Sequence, residues 1–155
     1  MGKIKNIMKR IIIILLLIFT LGCTSENEKK ELNFRISYGV PIVYVQINGK
    51  TAKMIIDTGA SLSIINKDSK KEYGFEIGKD IGTLEGIGGV ASLWEIKNIK
   101  VTIRDSIISH KFYVADISNL KNSRGIDGII GSDYFKSKNM VIDFYNNKLY
   151  KYKSN

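Results

Sequence analysis

The stretch that most constrains this chain is Met54-Ile55-Ile56-Asp57-Thr58-Gly59-Ala60-Ser61. Three apolar residues run directly into a carboxylate, followed by a small hydroxyl residue, a glycine and two more small residues. The apolar run reads as a buried strand. Gly59 and its small neighbours read as a tight turn. A strand rooted in the core thus delivers one carboxylate to a turn that another backbone can approach closely. The preceding residues support the strand: Val40-Pro41-Ile42-Val43-Tyr44-Val45-Gln46-Ile47 is β-branched and partly alternating, and Asn48-Gly49 after it is the strongest short hairpin signal. The returning strand, 51–56, ends at Asp57, so the hairpin carries the carboxylate. Taken alone, the same pattern describes a strand that ends in a turn, with Asp57 bonded to backbone amides.

A second stretch narrows the reading. Gly128-Ile129-Ile130-Gly131 is an apolar pair enclosed by glycines, and it leads into Ser132-Asp133-Tyr134-Phe135. With these two motifs, the sequence from about Val40 to Tyr152 resembles the retropepsin-like aspartic proteases, the single-domain relatives of pepsin. The resemblance implies an all-β fold, a small closed or partly open β-barrel with one or two short helices. It implies that Asp57 is the catalytic carboxylate, that Thr58, Gly59 and Ala60 support it in the turn, and that Ile129, Ile130 and Gly131 pack behind that turn. The segment Leu84-Glu85-Gly86-Ile87-Gly88-Gly89-Val90 would be the flap, a mobile hairpin that closes over substrate. Gly86, Gly88 and Gly89 suit such a hairpin by freeing the backbone and letting a peptide come close. The plainer reading of that segment is a glycine-rich turn. It also matches Gly-x-Gly-x-x-Ala through Ala91, but a dinucleotide loop opens a helix, and residues 90–96 read as a strand. No cofactor and no metal are expected.

Aspartic proteases hydrolyse amides with two carboxylates that share one proton. One takes a proton from water while the other donates to the carbonyl oxygen. This chain has one Asp-Thr-Gly and no internal repeat. The resemblance therefore implies a two-fold homodimer in which the two copies of Asp57 face each other, Thr58 braces the two turns, and Gly59 bonds substrate backbone. Asp127, Asp133 and Asp143 are other carboxylates in the later part of the chain, but none lies in a matching turn. Structural hydrogen bonds are the expectation for Asp133 and Asp143. A non-catalytic module of the same fold, binding an extended peptide along a sheet edge, is the alternative. A structural surface lipoprotein without a cleft is the third reading, and absence of a flap would favour it.

The amino-terminal region has its own pattern. Lys3, Lys5, Lys9 and Arg10 precede the apolar run from Ile11 to Phe19, and no acidic residue occurs before Glu26. A bilayer core needs about 20 apolar residues, so this shorter run reads as the apolar region of a signal peptide over 1–22. Gly22-Cys23 resembles a bacterial lipobox, in which Cys23 is lipidated and becomes the first mature residue; a plain secretory signal with an incidental cysteine is the alternative. Residues 24–33 are polar and aperiodic and read as a flexible tether, reaching at most ~35 Å when extended at about 3.5 Å per residue. A single domain over 34–155 follows, placed by this reading on the extracytoplasmic side of the cell envelope. Partners are then the membrane, a polypeptide substrate and a second copy of the chain.

Composition excludes several other chemistries. Cys23 is the sole cysteine and His110 the sole histidine, so neither an intramolecular disulfide nor a cysteine-rich zinc site is available, and the common nucleophilic triads are poorly supplied. His110 sits among Ile107, Ile108, Phe112 and Tyr113 and reads as a strand residue, not a ligand or base. The formal charge of +9 falls to +5 without residues 1–22. The remaining basic residues form no arginine stripe interleaved with aromatics, so nucleic-acid binding is not expected.

Overall fold

The computed structural model describes residues 31–86, 89–103 and 106–152. Thirteen strands are described: β1 (Leu32–Asn33), β2 (Arg35–Ser37), β3 (Val40–Ile47), β4 (Lys50–Ile56), β5 (Ile64–Asn66), β6 (Glu76–Gly86), β7 (Gly89–Lys97), β8 (Val101–Ile103), β9 (Ser106–Ile107), β10 (Tyr113–Ala115), β11 (Gly128–Ile130), β12 (Met140–Asp143) and β13 (Lys148–Lys151). Three short α-helices accompany them, α1 (Lys70–Tyr73), α2 (Ser118–Arg124) and α3 (Ser132–Lys138), with a 3₁₀ turn at Lys67–Ser69. The chain is thus mostly β, as its pattern implies, with one more α-helix than the one or two expected.

Ten strands form one sheet, ordered β6-β7-β10-β5-β11-β4-β3-β8-β9, with β2 added to β3. The hairpin of β3 and β4 turns at Asn48 and Gly49, both at positive φ, 49° and 84°. Along β3 the pleat decides burial: Val43, Val45 and Ile47 point inward while Tyr44 and Gln46 are exposed. At the end of β4 the alternation stops, and Met54, Ile55 and Ile56 are all buried. The reason is position. Here β4 is an interior strand covered on both faces, Met54 and Ile56 by the main core and Ile55 by Ile42 and Ile126. Covered strands read as unbroken apolar runs, and each such side chain contributes roughly 2 kcal/mol on leaving water.

The smaller sheet is β1-β13-β12. Leu32 and Asn33 pair with Leu149 and Lys148, so the folded unit reaches back into residues that the sequence assigns to the tether. The 3₁₀ turn is capped by Asn66, whose side chain accepts from the Asp68 amide at 3.4 Å, and Gly74 ends α1 in the left-handed region. Helix α2 leads into β11 through Gly125. Its sequence Ser-Asn-Leu-Lys-Asn-Ser-Arg buries no residue, so it carries no apolar periodicity, and Leu120 alone packs beside Ile42, Ile55 and Ile126.

A charged cluster fastens α2 to β4. Asp127 is buried and accepts from the Lys53 amide at 2.8 Å and from the Lys121 ammonium. Lys121 also donates to Glu72 at 2.8 Å. Burial works against the charge of Lys121, but its bonds to Asp127 and Glu72 outweigh that and raise its pKa. Burial first, and then the charge of Asp127, pushes the Tyr73 phenol well above its usual range. The Asp127 side chain is 7% exposed against 28% for Lys121, so removing the lysine leaves a buried carboxylate without its counter-ion. Lys121→Met is expected to destabilise the fold by about 1–3 kcal/mol, less than a fully buried pair would lose, as a lowered urea midpoint. Because the lysine pKa is raised in the fold, that loss is complete at neutral pH and fades only as the pH climbs through the raised value.

Candidate functional site

The end of β4 presents the turn 57–61, and β11 explains its shape. β11 runs parallel to β4, pairing Met54, Ile55 and Ile56 with Gly128, Ile129 and Ile130. On its other side it runs antiparallel to β5, with Gly128 opposite Ile65 and Ile129 opposite Ile64. The turn therefore leaves one neighbour of β11 and enters the other, arching across its end. Main-chain bonds close the arch: the Asp57 amide donates to the Ile130 carbonyl at 3.0 Å, and the Ser132 amide to the Ala60 carbonyl at 2.8 Å. The Ser132 hydroxyl adds a 3.0 Å bond to the same carbonyl.

This arrangement requires glycine. A Cβ on Gly131 would stand 2.5 Å from the Leu62 carbonyl oxygen and 2.9 Å from that of Ala60. A Cβ on Gly128 would stand 2.5 Å from the Ile64 oxygen and 2.6 Å from Met54 Cε. Ile130 between them is fully buried. The apolar pair enclosed by glycines is the strand over which the Asp57 turn is folded, and Ile129, Ile130 and Gly131 lie behind the turn.

Within the turn, Asp57, Thr58 and Gly59 are exposed and Ala60 is half-buried. The Asp57 carboxylate accepts from the Gly59 amide at 2.9 Å, and the Ala60 amide donates to the Asp57 carbonyl at 3.2 Å. Asp57 is thus held by backbone while its carboxylate faces solvent. The other candidate carboxylates are engaged elsewhere. Asp127 is committed to Lys53 and Lys121. Asp133 accepts from the Ser63 amide and hydroxyl and from the Tyr134 amide, at 3.0, 2.7 and 2.8 Å. Asp143 binds the amide and side chain of Asn146, which lower its pKa.

His110 departs from expectation. It lies in the link between β9 and β10, not in a strand, and its Nε2 is 3.0 Å from Asp133 Oδ2 and 3.2 Å from Ser63 Oγ. Serine, histidine and aspartate thus meet, but not as a nucleophilic triad. One ring nitrogen makes both contacts, whereas a triad uses the two nitrogens separately. Ser63 is fully buried, and its hydroxyl already receives the Gly131 amide at 3.0 Å. Only the spacing of Ser63 and Asp133 from the two glycine motifs hints at their meeting; nothing in the sequence brings His110 to them.

The glycine-rich segment is the end of a long hairpin. β6 and β7 pair through to Glu85–Val90 and Gly86–Gly89, and Gly89 has φ 110°. Gly88 and Cys23 lie outside the described residues. Leu84 of β6 and Leu93 of β7 pack with Leu62 and Ile64, which follow the Asp57 turn. The hairpin and the turn therefore share one apolar cluster. Among the described residues no group of acidic, histidine or cysteine side chains is arranged to hold a metal.

The sequence profile of a family described as aspartyl protease matches residues 43–134, from β3 through the hairpin to the first turn of α3. No curated protein sequence matches the chain. Among solved structures, a retropepsin-like aspartic protease from Rickettsia conorii is similar with a TM-score of 0.53 and 20% identity, covering 77% of this chain and 87% of that one. The retroviral protease-like domain of Ddi1 from Leishmania major is similar with a TM-score of 0.50 and 23% identity, covering 78% and 93%.

The close backbone approach sets a direct test. Gly131→Ala forces the turn off β11 because the neighbours in the way are main-chain atoms. We expect a loss of about 2–3 kcal/mol in unfolding free energy, at the upper end for overpacking, read from urea denaturation.

Proposed function

Since the chain belongs to the aspartyl protease family and has a retropepsin-like fold, we propose that it is an aspartic endopeptidase whose catalytic carboxylate is Asp57. The observation that carries this reading is the turn itself: an intact Asp-Thr-Gly with its carboxylate exposed, held by the Gly59 amide and folded over β11. Amide hydrolysis by this chemistry needs a second carboxylate. Asp127, Asp133 and Asp143 are bound to other donors, which supports a second copy of Asp57 as the source. In the proposed homodimer the two carboxylates share one proton, because two like charges a few ångströms apart cannot both ionise cheaply. The unprotonated member takes a proton from water, the water attacks the peptide carbonyl, and the protonated member donates to the carbonyl oxygen; the gem-diol then collapses, its C–N bond breaking as the amine leaves with the proton taken from water and a hydroxyl proton returns to the dyad. Thr58 braces the two turns, and Gly59 and the β6–β7 hairpin hold the substrate backbone. Leu62, Leu84 and Leu93, which share one cluster, tie the hairpin to the turn.

Asp57→Asn is expected to reduce peptide hydrolysis to background while the fold persists, since the amide keeps the shape but does not cycle the proton. Mixing wild type with excess Asp57→Asn should suppress activity by forming dimers with one carboxylate. Peptide turnover is the readout; wild-type rates in Asp57→Asn would overturn the catalytic assignment, and resistance to mixing would overturn the shared site. Retention of peptides without turnover would instead favour the non-catalytic module.

The same proposal places the domain at the cell envelope, anchored by a lipid on Cys23. Confinement to a membrane raises the effective concentration of two half-sites without adding a contact. Cys23→Ala should move the protein from the membrane to the soluble fraction, or stall its processing; unchanged extraction with membranes would remove the lipid from this account.

A further inference from the structure

The arch that presents Asp57 is pinned at its far end, at Ser63, and a third segment of chain reaches that pin. His110 comes from the link between β9 and β10 with its side chain 8% exposed. Its ring meets Phe112 and Tyr134 edge-on at centroid distances of 5.4 and 5.3 Å. Nε2 faces two acceptors. Asp133 Oδ2, at 3.0 Å, belongs to a carboxylate, which only accepts. Ser63 Oγ, at 3.2 Å, already gives its hydrogen to Asp133 Oδ1. Two acceptors on Nε2 call for a proton there, while Nδ1 has only a longer contact, 3.5 Å to Ser137 Oγ. The cationic ring also carries that proton, so the contact is compatible with either charge state. Asp133 and Tyr134, both on α3, are the titratable groups seen against the ring.

We propose that His110 is a positioning residue for Asp57: its Nε2–H forks between Asp133 and Ser63 and fixes the seat of the turn. The path is short. Ser63 Oγ receives the Gly131 amide, and Gly131 is the residue on which the Ala60 and Leu62 carbonyls rest. Asp57 enters the same arch through its bond to Ile130. Without the His110 donor, Ser63 and Asp133 keep each other and the Ser63 carbonyl keeps the Tyr113 amide, but the pair loses its side-chain tie to the link before β10. The Asp57 turn then gains freedom on one side. A misplacement of about 1 Å in a catalytic group can cost roughly 100-fold in rate. The inference rests on Asp57 being the catalytic carboxylate.

The test uses the full-length chain in detergent. Because the chain has one histidine, its ring nitrogens give a single set of signals after ¹⁵N-histidine labelling. The expected neutral tautomer is protonated on Nε2; a ring protonated on Nδ1 alone would overturn the proposal whatever the enzyme does. His110→Phe keeps a ring against Phe112 and Tyr134 and removes the donor. In the folded variant, hydrogen exchange should quicken in peptides spanning residues 57–63, and kcat should fall roughly 10-fold with KM unchanged. His110→Gln, which offers an N–H near the Nε2 position, should recover most of the rate. A purely structural histidine would lower the melting temperature without changing kcat per folded molecule or exchange in the turn, and that result would sink the proposal. Should His110→Phe fail to fold, the wild-type tautomer and the kinetics of His110→Gln decide. Persistent activity in Asp57→Asn would refute the catalytic reading alone, because the tautomer and the exchange are measured without substrate.

Discussion

Everything about the candidate site depends on one close backbone approach, the arch of residues 57–63 over β11. Gly128 and Gly131 lie where a methyl group would collide with backbone or with Met54, so contact is made by main chain against main chain. Such contacts leave little room for adjustment, which fixes where the Asp57 carboxylate stands. Asp57 is held through its own amide, through the Gly59 amide and through the strand behind it, and its charge remains open to solvent.

The polar groups around this arch divide by burial. Asp127 and Asp133 work as internal connectors, joining β11 to β4 and α3 to Ser63. Buried or half-buried carboxylates need donors facing their oxygens, and once so engaged they are poor candidates for proton shuttling. Asp57 is exposed and retains spare acceptor capacity. The single chain thus separates engaged internal carboxylates from one exposed carboxylate in the turn. That separation is what supports a second copy of the chain in the proposed site.

The long hairpin belongs to the same design. Its base is part of the main sheet through β10, while its inner residues Leu84 and Leu93 join the cluster beside the arch. Toward Gly86 and Gly89 the strands carry little buried surface, with Glu85 and Val90 exposed. Few apolar contacts mean that local opening there requires little free energy.

Local chemistry determined much of this from sequence alone. The Asn48-Gly49 turn, the apolar run into Asp57, the glycine-bounded pair at 128–131 and the glycine-rich hairpin each follow from conformational rules that act within a few residues. They were enough to mark Asp57 and to recognise the fold. Other features depended on contacts between distant residues. Helix α2 has no apolar stripe, and what holds it is Leu120 beside Ile42, Ile55 and Ile126 together with Lys121 reaching Asp127 and Glu72. Leu32 and Asn33 read as tether because their partners, Leu149 and Lys148, lie at the far end of the chain. His110 reads as one more strand residue because Ser63 and Asp133 are 47 and 23 positions away. Sequence patterns report what a residue does to its own backbone and to its immediate neighbours. Which polar groups meet in the interior is decided by how the strands are ordered in the sheet, and only the tertiary structure sets that order.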